Sequence, residues 1–194
     1  MKIGITGGVG CGKSTAAGMF ELRGFRRLDS DRFVRDNVLT RSDIKAAIQH
    51  RFGPDVLAAD GAVDRTRLAA RVFTDEAALR WLEELTHPVL FTLWREAFAA
   101  EPQTQWAVEV PLLFEKKLEN WFDFTVCVAC SPTLQLARLE QRGMPRVLAE
   151  QRISQQLPLA QKIEQADFVL WNEGSAEFLQ EQVDQLIASL TVVR

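Results

Sequence analysis

The sequence is short of several things, and each shortage closes off a class of protein. No run is apolar for the ~20 residues that a helix needs to cross a bilayer. The first residues lead straight into a strand pattern, without the cationic segment, apolar core and cleavage site of a secretory leader. The expectation is a cytosolic protein with no membrane partner. Positive charge is not in excess: 23 Lys and Arg stand against 26 Asp and Glu, a formal net charge of -3. Nucleic-acid binders usually carry a basic face that releases counterions, so no nucleic-acid partner is expected, and any anion must be held by local groups. Cysteine is scarce, with three in 194 residues. Cys127 and Cys130 make a C-x-x-C, but no second Cys or His pair lies nearby to complete a zinc site. Both fall in the apolar run FTVCVACSP and read as buried strand residues, while Cys11 reads as a space-filler. Repeats, low-complexity tracts and Ser/Gly linkers are also missing, and no obligate protein partner is evident. One domain follows, because 47% hydrophobic residues over this length can bury one substantial core with a small appended subdomain.

What is present is an alternation. The runs KIGIT, FRRLDS, WAVEV, FTVCVAC and DFVLW are short, rich in Val, Ile and Phe, and separated by longer stretches of helical pattern. That order predicts an α/β fold with a five-stranded parallel sheet and helices on both faces. Ser131 before Pro132 reads as a helix cap with proline at the first helical position, and Gly143 as the stop. Thr74, Asp75 and Glu76 open a long helical segment in which Leu79, Leu82, Leu85 and Val89 recur at helical spacing, with Pro88 expected to kink or divide it. Residues from about 40 to 100 separate the second and third strands by more than one crossover needs, which predicts a helical insertion. The five tryptophans, Trp81, Trp94, Trp106, Trp121 and Trp171, read as core or rim, with Trp171 the best placed for stacking on a base.

The chemistry is concentrated at the start, in GITGGVGCGKST. Gly7-x-x-x-x-Gly12-Lys13-Ser14 follows an apolar strand and precedes a helix, the context a phosphate-binding P-loop requires. Its glycines let the backbone turn tightly and aim N-H groups inward, and the helix adds a positive dipole end. Gly8, Val9, Gly10, Cys11, Gly12, Lys13, Ser14 and Thr15 are therefore the candidate ATP-binding residues, with Lys13 bridging the outer phosphates and Ser14 ligating a nucleotide-borne Mg2+. The fold expected is thus that of the P-loop NTPases, in three layers. Asp29-Ser30-Asp31 ends the second strand at the carboxyl edge of the sheet, where open α/β proteins bind ligands. If the extended geometry persists, Asp29 and Asp31 share a face. Asp31 then accepts a proton from an attacking hydroxyl or helps place magnesium, with helix capping the plainer alternative. Arg138 and Arg142 lie four apart on one helical face, with Arg146 and Arg152 beyond Gly143. They suggest a lid, about 138 to 160, that closes over the transferring phosphoryl group, and Arg142 is the first choice for a catalytic arginine. Glu109 is a metal-side acid, a buried-strand residue or a structural partner for an arginine.

Taken with LDSDRFVR, RFGPDVLAADGAVDRTRLAARVF, LTHPVL, VPLLFE, QLARLEQR and QRISQQLPLAQKIEQADFVLWNEGS, in this order and spacing, the loop makes nearly the whole chain resemble the dephospho-CoA kinase family. The resemblance implies transfer of the ATP γ-phosphoryl group to the ribose 3'-hydroxyl of dephospho-coenzyme A, the last step of coenzyme A synthesis. It also implies Asp31 as base with Arg35 beside it, and Phe52, His87 and the segment from Leu112 and Leu113 to Glu115 on the acceptor side. Arg138, Arg142 and Arg152 match the family's lid, and Asn172 with Gly174 its adenine loop. His87 either touches the acceptor or packs a broken helix. The family commonly has Asp-Ala-Asp at Asp29-Ser30-Asp31, which leaves both carboxylates intact, and Asp-Asn at Trp171-Asn172, which alters the packing at the adenine edge. Two rivals are another small-molecule or nucleoside monophosphate kinase and a noncatalytic nucleotide switch. Against the latter, none of Asn37, Asn120 and Asn172 is followed by the Lys of an Asn-Lys-x-Asp base reader.

Overall fold

The computed structural model describes residues 1–72 and 75–192. In chain order the elements are β1 (Lys2–Gly7), α1 (Lys13–Glu21), β2 (Arg26–Asp29), α2 (Ser30–Phe33), α3 (Ser42–Phe52), α4 (Arg65–Val72), α5 (Glu76–Ala100), β3 (Trp106–Glu109), β4 (Phe124–Ala129), α6 (Pro132–Gln141), α7 (Arg146–Ser154), α8 (Leu159–Gln165), β5 (Phe168–Trp171) and α9 (Ala176–Val192). They divide into two compact units, one of Met1–Asp29 with Gln103–Arg194 and the other of Ser30–Pro102. Among the described residues no helix is long and apolar enough to cross a membrane.

The first unit holds the sheet. Each of the five apolar runs forms a strand, all pairings are parallel, and the order is β2-β3-β1-β4-β5. Strands buried on both faces read as continuous apolar runs, which is why these runs were legible. On one face Ile3, Ile5, Val126 and Val128 pack with Ala16, Ala17 and Phe20 of α1 and with Leu179, Val183, Leu186 and Leu190 of α9. Phe20 meets Phe25 edge to face, ring centroids 5.3 Å apart. On the other face α8 lies against β1 and β4. α6 starts with Pro132 at its first position; Ser131 occupies the cap, but its hydroxyl makes no capping bond. The stop is Gly143, at φ 81, where its own N-H donates to the Glu140 carbonyl at 2.9 Å and that of Met144 to the Leu139 carbonyl at 3.1 Å. This backbone needs a positive φ, which only glycine adopts without strain.

The second unit is helical. Its core includes Ile44, Ile48, Val56, Leu68, Val72, Leu90 and Trp94. The expected helix start at Thr74 lies outside the described residues; Asp75 is the cap of α5, its carboxylate accepting from the N-H groups of Ala77 and Ala78. Pro88 does not divide the helix, which runs unbroken from Glu76 to Ala100. Proline removes one backbone donor, but Pro88 sits on the exposed face while Ala78, Thr86, Leu90 and Trp94 anchor the helix on both sides of it. Leu79, Leu82, Leu85 and Val89 flank that buried stripe and are half-buried.

Candidate active site

The glycine-rich loop joins the end of β1 to the start of α1. Gly12 precedes the helix at φ 97, and a Cβ there would collide with the side-chain amide of Asn172. Two constraints, handedness and space, therefore demand glycine at this position. The Lys13 ammonium folds back along the loop and donates to the carbonyls of Gly7 at 3.1 Å and Gly8 at 2.9 Å. A cation held over the mouth of a turn whose helix points its N-terminus the same way makes a compact anion site.

Beneath the loop Ser14 donates its hydroxyl to Glu109 Oε2 at 2.7 Å. The other carboxylate oxygen, Oε1, takes both Arg27 Nε at 2.7 Å and Arg27 Nη2 at 2.6 Å. The Glu109 side chain is 5% exposed and that of Arg27 29%. β2, β3 and α1 thus meet in one charged cluster. Among the described residues no group of three or more His, Cys, Asp or Glu gathers at metal-binding distance. Ser14 Oγ and Glu109 Oε2 are nonetheless the hard oxygen donors that suit a small divalent cation shared with phosphates.

A cavity of about 220 Å³ opens beside the loop, lined by Gly10, Gly12, Thr15, Arg138, Arg142, Asn172, Gly174, Ala176 and Leu179. It is smaller than ordinary ligand pockets. Asn172 follows β5 and is fixed twice, by its N-H to the Ala129 carbonyl at 2.8 Å and by its Nδ2 to the Cys11 carbonyl at 2.9 Å. Its Oδ1 receives Arg138 Nη2 at 3.3 Å. Arg138 Nη1 is buried with no hydrogen-bond partner among the described residues. A buried donor without an acceptor costs free energy. Arg142 caps the end of α6 and is exposed. Arg146, by contrast, is engaged by Glu150 at 3.1 Å and Glu140 at 3.9 Å. Trp171, 45% exposed, is not among the lining residues, while Trp94 and Trp106 are buried.

All three cysteines are free and buried. Cys127 and Cys130 sit in or just after β4, as their apolar run implied. Cys11 is more than a space-filler, because Cys130 donates its thiol to Cys11 Sγ at 3.4 Å. That hydrogen bond, outweighing burial and aided by the Lys13 charge, pulls the Cys11 thiol down from 9.0 to about 7. Burial pushes the Cys127 thiol up to about 12.

The residues expected on the acceptor side fall mostly in the second unit. The strand ends at Asp29 and a helix begins at Ser30, so the extended geometry that would put Asp29 and Asp31 on one face does not persist. Asp31 instead occupies the first turn of α2, exposed. Arg35 donates Nε to Asp36 Oδ1 at 2.6 Å. This bond, with a second from Arg32, holds the Asp36 carboxyl below its usual range. Phe52 ends α3 and packs edge to face on Trp81 at 5.5 Å, with the Arg51 guanidinium 5.1 Å from the Trp81 ring. His87 is half-buried on α5, 5.6 Å from the Phe91 ring. Leu112 and Leu113 belong to the first unit; Leu113 is fully buried, so of the two only the half-buried Leu112 keeps side-chain surface.

Sequence reading passed over Arg27, Gln135 and Gln156. Gln135 Nε2 donates to the Val9 carbonyl at 2.7 Å, and Gln156 Oε1 accepts from the Val9 N-H at 2.9 Å. A lone glutamine carries no motif, and only the placement of α6 and of the turn after α7 brings these two to the loop.

Comparison with known proteins extends beyond the loop. A model of the dephospho-CoA kinase family matches residues 1–177. The dephospho-CoA kinase of Thermosynechococcus vestitus is 42% identical over 192 residues, covering 98% of this chain and 95% of that protein. A crystal structure from Thermus thermophilus, at 32% identity, superposes with a TM-score of 0.85 over 98% of this chain and 97% of that one. Dephospho-CoA kinase from Campylobacter jejuni, at 24% identity over 98% of both chains, shares the fold with a TM-score of 0.72. Since the likeness runs through the loop, the sheet and the helices after β4 alike, this chain belongs to the dephospho-CoA kinase family, and it is a kinase with the P-loop fold.

Proposed function

We propose that the enzyme transfers the γ-phosphoryl group of ATP to the 3'-hydroxyl of the ribose of dephospho-coenzyme A, giving coenzyme A and ADP in the final step of coenzyme A synthesis. The observation that carries the nucleotide side is the loop itself, with the Lys13 ammonium against its carbonyls and the Arg138 nitrogen buried beside it without an acceptor. Family membership carries the choice of acceptor.

On this reading Gly8 to Thr15 cradle the phosphates, Asn172 and Arg138 hold the adenosine end, and Lys13 turns from the loop carbonyls to the outer phosphates. Ser14 Oγ and Glu109 Oε2 would hold Mg2+, which would supply charge neutralisation at the phosphate oxygens. Asp31 accepts the proton of the ribose hydroxyl as its oxygen bonds to phosphorus and the bridging oxygen leaves with ADP. Arg35, Phe52, His87 and Leu112 position the acceptor, which binds on the helical insertion, about 40 to 100. The lid, about 138 to 160, brings Arg142 to the transferring group and excludes water. Positioning and electrostatics supply nearly all the acceleration in such transfers.

The test offers ATP with a panel of acceptors that includes dephospho-coenzyme A, its 3'-deoxy analogue and nucleoside monophosphates, and follows ADP release. Release that depends on dephospho-coenzyme A and vanishes with the 3'-deoxy analogue is expected. Equal release with a nucleoside monophosphate would overturn the assignment.

A further inference from the structure

We propose that Gln156 is a positioning residue for the nucleotide: together with Gln135 it holds the two peptide groups flanking Val9 and ties the root of the lid to the phosphate loop. The inference rests on the kinase reading above and names a device that reading does not require.

Val9 stands between Gly8 and Gly10. Peptide planes next to glycine rotate at little cost, so nothing in the loop's own sequence fixes which way the Val9 N-H and carbonyl point. Side chains from elsewhere do so. The N-H belongs to the peptide before Val9 and is accepted by Gln156 Oε1 at 2.9 Å. The carbonyl belongs to the peptide after it and accepts from Gln135 Nε2 at 2.7 Å. Two consecutive planes are held by residues 126 and 147 positions away in sequence.

Both grips are rooted. Gln135 is buried in the first turn of α6. Gln156 lies between α7 and α8, and the next residue, Leu157, donates its N-H to Glu115 Oε1 at 2.9 Å. That oxygen also takes the Lys162 ammonium at 2.7 Å. Lys162 is fully buried, and it donates in addition to the Pro111 carbonyl at 2.8 Å. A carboxylate fixed by a buried ammonium is a stiff post, since moving either partner leaves a buried charge unpaired. The turn carrying Gln156 is therefore held at the base of α7, and it hands that rigidity to Val9. Preorganising a loop in its binding shape raises affinity by removing the ordering cost at the moment of binding. Gln156 bonds to the loop backbone at Val9, so its effect is exerted through that residue.

The test is Gln156→Met in the full chain, which keeps the length of the side chain and removes the acceptor oxygen. ADP titration calorimetry, both Michaelis constants, kcat and the melting temperature are read together. The ADP Kd and the KM for ATP should rise about tenfold, the size of one hydrogen bond to a partly buried amide. The KM for dephospho-coenzyme A, and kcat at saturating ATP, should change less than twofold. Gln135→Met should act in the same direction, and the double variant should lose less than the product of the two. Unchanged ADP affinity in Gln156→Met overturns the proposal, whether or not stability falls, and so does a parallel rise in both Michaelis constants. Wild-type protein that binds ADP yet releases none with any acceptor would remove the kinase reading and leave this one standing.

Discussion

Removing Arg27 tests the charged cluster under the loop. In Arg27→Met the Glu109 carboxylate, 5% exposed, keeps the Ser14 hydroxyl at 2.7 Å but loses two charge-assisted hydrogen bonds. Breaking one side of a buried pair costs about 3 to 5 kcal/mol. Arg27 is 29% exposed, so solvent screens part of this interaction and the expected loss is about 3 kcal/mol. Glu109→Gln strands the other partner, but a guanidinium with water at its flank can rehydrate, so the loss should be about 1 kcal/mol. The double variant Arg27→Met with Glu109→Gln should then be more stable than Arg27→Met alone, because the stranded charge is gone. Urea unfolding monitored by circular dichroism gives all three values, and the melting point of Arg27→Met should fall by roughly 6 to 12 °C. A loss below about 1 kcal/mol in Arg27→Met, or a double variant less stable than that single one, would refute the claim that Glu109 depends on Arg27.

Gly12→Ala should abolish ADP binding measured by calorimetry while the protein stays folded, since a methyl at φ 97 strains the turn and displaces Asn172. Asp31→Asn should leave ADP affinity within a few-fold and lower turnover by about a hundredfold or more, the size expected for loss of a general base; near-normal turnover removes that role. The Cys11 thiol, lowered from 9.0 to about 7 by the Cys130 hydrogen bond and Lys13, makes stability depend on pH. Its folded value lies below its unfolded one, so the contribution grows as pH rises from 7 toward 9 and is lost as pH falls through 7. Urea midpoints at pH 6.5 and 8.5 should show the wild type gaining stability relative to Cys11→Ser as pH rises; parallel behaviour of the two proteins would contradict it.

The fold was readable in the sequence because a parallel sheet buries its strands on both faces, and KIGIT or FTVCVAC can hardly be anything else. The loop was readable because its glycines and Lys13 are demanded by local backbone geometry. Where reading failed, the deciding forces were tertiary. Pro88 reads as a kink or a division, and the division does not occur because the buried stripe of α5 continues on both sides of it. Asp29 and Asp31 looked like neighbours on a strand, but the chain turns helical at Ser30. For Glu109 the sequence offers a metal-side acid, a buried-strand residue and an arginine's partner alike; it is buried in β3, with Arg27 on one oxygen and Ser14 on the other. The two glutamines on Val9 could not have been found, since their hydrogen bonds exist only once α6 and the turn after α7 have docked.

The burial of Lys162 has a practical consequence. A lysine amine with no solvent contact is shielded from acylating reagents as long as α8 stays seated on the sheet. The rate at which an activated ester labels that one position, set against an exposed lysine such as Lys117, becomes a clock for detachment of the segment. Slower labelling in the presence of nucleotide would record, residue by residue, how firmly a filled loop fastens it.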